Sequence, residues 1–212
     1  MSALAEKEFG SAESSGSLQE IIAKIQAARS FDEKVNELGQ EICDLFRADR
    51  ITIYSLSEDR LALVARVKTG LTSFRDLKLP ITEASIAGFA AFHKRTLQIA
   101  DVYDEAELKR HSPRLSFLKE VDKRTGYRTK QMVVAPVLDP DDPKLLLGCV
   151  QLINTRDGVP FSQASVELVQ ELCKGLASVF RARNASSKLR TKYDQLITDG
   201  VISGGELELA TR

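Results

Sequence analysis

Apolar residues fall at helical spacing twice before the chain changes rhythm. Leu18, Ile21, Ile22 and Ile25 share one face, with Ser17 placed to cap it. Val35, Leu38, Ile42, Leu45 and Phe46 form a second stripe, which predicts a helix from Phe31 to Phe46. The β-branched runs Ile51–Leu56 and Leu61–Val67, split by Ser57-Glu58-Asp59-Arg60, then predict an antiparallel hairpin. Leu77–Ile81 reads as a short edge strand, because Pro80 would remove a ladder donor from a central one. Ser85 is placed to cap a helix from Ile86 to Lys94, and Leu97–Ile99 gives another short strand.

The segment from Asp101 to Thr125 reads as a mostly helical connection broken at Pro113. Gln131–Leu138 and Leu145–Ile153 form a second strand pair around Asp139-Pro140-Asp141-Asp142-Pro143-Lys144. Ser162 opens a helix of about 20 residues whose stripe is Val166, Val169, Leu172, Leu176, Val179 and Phe180. Helices at both ends of an antiparallel sheet describe an α+β domain. The terminal stripes suit packing on that sheet, and they also suit a homodimer built through the terminal helices.

Composition narrows the picture. The 212 residues are 43% apolar, enough for a core. Residues 1–17, small and polar, read as a disordered tail, residues 18–184 as the domain, and residues 185–212 as a helical extension or the start of a second module. Thirty basic residues balance thirty acidic ones, which argues against a nucleic-acid partner. Cys43, Cys149 and Cys173 lie far apart without a CxxC, as expected of a reducing compartment. The start lacks a secretory pattern and no apolar run approaches a membrane span, so the expected location is cytoplasmic, without a membrane partner.

Candidate chemistry is sparse. The two histidines form no metal-ligand motif; His93 reads as a helix-end residue and His111 as a solvated one. No nucleophile elbow, phosphate loop or dinucleotide fingerprint occurs. Ten basic against six acidic residues between Lys94 and Lys130 give a local field suited to an anionic ligand or partner, or simply a solvated helical face. Within it, residues 122–129 (DKRTGYRT) concentrate donors and acceptors between a helix and a strand, as at the mouth of a small-molecule cleft.

Four ordered stretches carry a resemblance: SIAGFAAFHKRTLQIADVYDE (85–105), VDKRTGYRTKQMVVAPVLD (121–139), LLLGCVQLIN (145–154) and PFSQASVELVQEL (160–172). Together they resemble a GAF domain, the small-molecule sensory module of cyclic-nucleotide phosphodiesterases, adenylyl cyclases and phytochromes. The second stretch is similar to the D-x-x-T-G-[YF]-x-T segment of the phosphodiesterase-type branch. The resemblance implies an antiparallel sheet of about six strands, with terminal helices on one face and a ligand pocket under helices and loops on the other. Carried over by position, the ligand-binding residues would be Thr52, Ile86, Ala87, Asp122, Thr125, Thr129 and Gln151. Amides at the Ile86 helix start would take a phosphate, and Asp122 and the threonines a base edge.

The implied function is sensory and regulatory, not enzymatic, with a cyclic nucleotide as the candidate ligand and output through the terminal helices. Departures favour an alternative, a degenerate GAF domain that dimerises or docks without ligand. Of the N-K-x(n)-F-x3-D-E signature, Asn154 and Phe161 match, whereas Thr155, Ser165 and Val166 replace the Lys and the acidic pair, removing an ion pair. The early aromatic–acid step reads Lys68-Thr69. Covalent bilin would need a cysteine between residues 86 and 130, where none stands, and haem would need His93 or His111. Methionine sulfoxide reduction, known for this fold, would need paired pocket cysteines. Residues 193–203, followed by GELELA, faintly resemble the opening hairpin of the N-terminal module of type II secretion and type IV pilus ATPases, which would imply such a signalling partner; Thr191-Lys192-Tyr193 replaces the Arg-Leu-Gly start of members that bind cyclic di-GMP.

Overall fold

A computed structural model describes residues 16–28, 30–68 and 77–198. Helix α1 (residues 16–26) is followed by α2 (Phe31–Phe46), β1 (Ala48–Leu56), β2 (Ala62–Lys68), β3 (Lys78–Pro80) and α3 (Ile86–His93). Then come β4 (Leu97–Ile99), α4 (Glu105–His111), α5 (Glu120–Thr125), β5 (Met132–Leu138), β6 (Leu146–Thr155) and α6 (Gln163–Thr198). The six strands form one antiparallel sheet in the order β3-β2-β1-β6-β5-β4. This is the expected α+β architecture, with Pro80 in an edge strand.

The sheet is buried on both faces, so its central strands alternate between two destinations. Ile51 and Ile53 of β1, Val133 and Ala135 of β5 and Val150 and Leu152 of β6 meet the stripes of α1, α2 and α6. Tyr54, Met132, Val134, Cys149 and Ile153 point the other way, into a core completed by α3 and the segment before β5. Ser30 caps α2 by accepting from the Glu33 amide, and Arg47 ends that helix in the left-handed region at φ 50°. Gly175 lets α1 lie close on α6, since an added Cβ would stand 2.5 Å from Ile22.

Three expectations differ from the structure. Ser17 lies inside α1 rather than at a cap. Only two short helices, α4 and α5, occupy the 101–125 connection. The last helix runs for 36 residues. Its apolar stripe ends near Phe180, but residues 181–198 carry Arg, Ala, Lys, Leu and Gln, all good helix formers that need no stripe to propagate. The hairpin sought after residue 193 begins within α6, and its remainder lies outside the described residues, as do the tail over residues 1–15 and Thr69.

Candidate functional site

On the face away from the terminal helices the sheet forms the floor of a cavity. Its empty space is about 600 Å³ counting the open mouth, and its interior is narrow. Two polar residues interrupt the apolar floor, Thr52 of β1 and Gln151 of β6, and they are direct cross-strand partners. Both are more than nine-tenths buried. Tyr54, two residues along the same strand face, donates to Gln151 Oε1 at 3.4 Å and interacts with Thr52. Burial pushes the Tyr54 phenol well above its usual range, so it stays a neutral donor.

The roof is α3 and the segment leading to β5. Ser85 Oγ accepts from the Gly88 amide at 3.1 Å, capping α3 as predicted. Ile86 and Ala87 line the cavity in the first turn, where amides have no acceptor within the helix. Gly88 allows this placement, because a Cβ there would stand 2.5 Å from the Pro80 carbonyl oxygen. Phe117, Leu118 and Val121 add an apolar lip, with Leu118 44% exposed beside the mouth.

Asp122 is the charged residue among the described lining. Its carboxylate is already engaged. Oδ2 accepts from the Thr129 amide at 2.8 Å and from the Tyr103 hydroxyl at 3.0 Å, and Oδ1 accepts from Thr129 Oγ1 at 2.8 Å. Asp122 therefore staples the end of α5 to the start of β5 while lining the cavity. Burial first, then the neighbouring Asp122, raises the Tyr103 phenol. The Arg128 guanidinium stacks over the Tyr103 ring at 3.4 Å.

Of the seven residues named from sequence, Thr52, Ile86, Ala87, Asp122, Thr129 and Gln151 line the cavity together, and Thr125 does not. Gly126, at φ 70°, ends α5 in the left-handed region, and Thr125 Oγ1 turns back to donate to the Val121 carbonyl at 2.8 Å. Sequence reasoning missed Tyr54, which the two-residue spacing from Thr52 would have found, and Tyr103, whose partners lie far along the chain. His93 ends α3 and meets Glu83 at 2.7 Å. His111 is half-buried against Arg95, and burial followed by the Arg95 charge lowers its pKa.

The segment from α5 to β5, residues 119–131, has a second anchorage. Asn154, at φ 50°, accepts through Oδ1 from the Lys130 and Gln131 amides at 2.7 and 3.1 Å. Its Nδ2 donates to the Tyr127 hydroxyl and the Arg128 carbonyl, both at 2.8 Å. Thr155, where the signature has a Lys, hydrogen-bonds the Val159 carbonyl, and Val166 sits in the helix-side core. Other ion pairs tie this end of the sheet to α2: Arg156 with Asp44 at 2.5 Å and Arg47 with Asp157 at 3.6 Å. The Arg156 contact also holds the Asp44 carboxyl below its usual range.

No described helix is long and apolar enough to cross a membrane. Comparison with known proteins agrees with this architecture. The chain is 25% identical over 137 residues to a probable 3',5'-cyclic phosphodiesterase of Caenorhabditis elegans, covering 59% of this chain but 17% of that protein. It superimposes on the GAF domain of a Coxiella burnetii phosphoenolpyruvate-protein phosphotransferase with TM-score 0.66 at 16% identity, covering 84% of this chain and 98% of that one. A Neisseria meningitidis free methionine-R-sulfoxide reductase gives TM-score 0.61 at 13% identity, covering 83% and 93%. The family description "GAF domain" matches residues 30–179, and the chain, with its two-faced sheet and roofed cavity, belongs to the GAF domain family.

Proposed function

We propose that this is a ligand-binding sensory domain that takes a small molecule with a planar, largely apolar body and a polar edge into the cavity. The observation that carries this reading is the buried Thr52–Gln151 pair on an otherwise apolar floor, facing the first turn of α3. Buried polar groups in an apolar wall are how a pocket orients a ligand. A cyclic nucleotide fits this chemistry. Its base lies along the floor and its phosphate faces the α3 amides. Since Asp122 is the charged residue among the described lining, one diester charge suits the cavity better than the several charges of a nucleoside triphosphate. The phosphodiesterase relative points to the same ligand class.

An enzyme of the sulfoxide-reductase kind is less well supported, because no cysteine lines the cavity among the described residues. All three thiols are buried, and burial pushes those of Cys149 and Cys173 well up, away from the reactive thiolate. The narrow interior of the cavity and the long α6 favour a second reading, a degenerate GAF domain that dimerises or docks through its terminal helices. Its partner would then be a second copy or a signalling protein of the secretion-ATPase kind. In either reading the expected setting is the cytoplasm.

A thermal-shift screen against cyclic AMP, cyclic GMP, cyclic di-GMP, other purine nucleotides and haem tests this. A ligand at about a hundredfold over Kd adds about 2.7 kcal/mol. The shift should disappear in Thr52→Val with Gln151→Leu, made together with Tyr54→Phe so that no buried hydroxyl is left without its partners. No shift with any compound, in a protein that sediments as a dimer, would favour the docking reading.

A further inference from the structure

We infer that Tyr127 is a positioning residue that joins the roof of the cavity to the junction between α2 and β1, so that a shift of residues 122–129 either moves the end of that helix or costs the Tyr127 bonds. The inference rests on the ligand-binding reading for its purpose, but the coupling itself is a property of the unliganded protein.

The geometry is directional. The Tyr127 hydroxyl has one proton, donated to Asp49 Oδ2 at 3.1 Å, and it accepts from Asn154 Nδ2 at 2.8 Å. The Arg50 guanidinium lies 3.4 Å above its ring. Asp49 and Arg50 open β1 two and three residues after Arg47, the left-handed cap of α2. Behind them the Arg47 carbonyl accepts from the Arg156 amide at 2.8 Å, fixing the junction to the turn after β6. Toward the cavity, Thr129 lies two residues from Tyr127 and is held by Asp122.

A displacement of residues 122–129 that made room for a ligand would thus either carry the junction along or break the Tyr127 bonds. The opposite anchorage, Tyr103 on Asp122, reaches no element of the terminal-helix layer by a described hydrogen bond. The two tyrosines therefore differ in what they transmit. Coupling of this kind requires that both sites bias the same two arrangements.

Hydrogen exchange on the free full chain tests this. Tyr127→Phe keeps the ring over which Arg50 stacks and removes both hydroxyl bonds. Amides of residues 43–50 should then exchange about threefold to tenfold faster, together with those of 127–131, as expected for losing about one net hydrogen bond. Tyr103→Phe should speed residues 119–125 and leave 43–50 at the parent rate, a separation that general loosening would not give. Asp49→Ala, at an exposed position, should repeat the Tyr127→Phe pattern without the risk of a core change. The inference is overturned if Tyr127→Phe and Asp49→Ala leave residues 43–50 unchanged, or if Tyr103→Phe speeds them equally. A missing ligand shift alongside the expected exchange pattern would instead count against the ligand reading alone.

Discussion

The two faces of the sheet are built by different rules. On the helix side, side chains of α1, α2 and α6 interdigitate with Ile51, Val133, Val150 and Leu152, and the contact is almost wholly apolar. On the cavity side, Thr52, Gln151, Asp122 and Thr129 interrupt the apolar surface, and specific hydrogen bonds hold the roof. Close packing tolerates little displacement. A few directional bonds can break and re-form at modest cost. One face therefore fixes the domain, and the other retains the freedom a ligand site needs.

The largest expected effect breaks the contrast from the rigid side. Leu172 of α6 is fully buried, and Leu172→Ala should cost about 2–5 kcal/mol in urea unfolding, through lost burial and a cavity. Thr52→Val at the cavity floor, by comparison, should leave the unfolding midpoint nearly unchanged. If the floor substitution costs as much as Leu172→Ala, the distinction between the faces fails. An intermediate effect is expected at Asn154, whose amide makes four bonds to the roof segment. Asn154→Ala should cost about 1–3 kcal/mol, and Asn154→Gly should recover the part due to its positive φ.

The smallest effect is a pH dependence on the cavity side. His111 has a depressed pKa, so folding favours the neutral ring. Its contribution is complete above the unfolded value of 6.5 and is lost as pH falls through and below that value. Melting temperature should therefore decline from about pH 7 to about pH 5, and His111→Gln should make that decline shallower.

The helix-side face was almost fully legible in the chain. Period alone placed α2, and the β-branched runs on either side of Ser57-Glu58-Asp59-Arg60 placed the first hairpin, because burial on a regular element imprints itself on the sequence. The cavity side was legible in its residue types and less so in their tasks. Asp122 and Thr129 could be named from the D-x-x-T-G-Y-x-T segment, but only the fold turns Asp122 onto Thr129 and Tyr103 and makes it a staple. Thr125 could not be told from its neighbours until Gly126 closed α5 around it. The bond from Tyr127 to Asp49 joins residues 78 apart, a separation at which no local period carries information.

The 36-residue α6 gives the molecule leverage. Its first half is clamped against the sheet as far as Phe180, Arg183 then pairs with Asp32 of α2 at 2.6 Å, and the stretch from there to Thr198 reaches about 22 Å further at 1.5 Å per residue. A tilt of about 10° at the clamp would sweep the far end through about 4 Å. Motions too small to disturb the apolar packing would thus arrive at the tip at a scale another protein surface can detect.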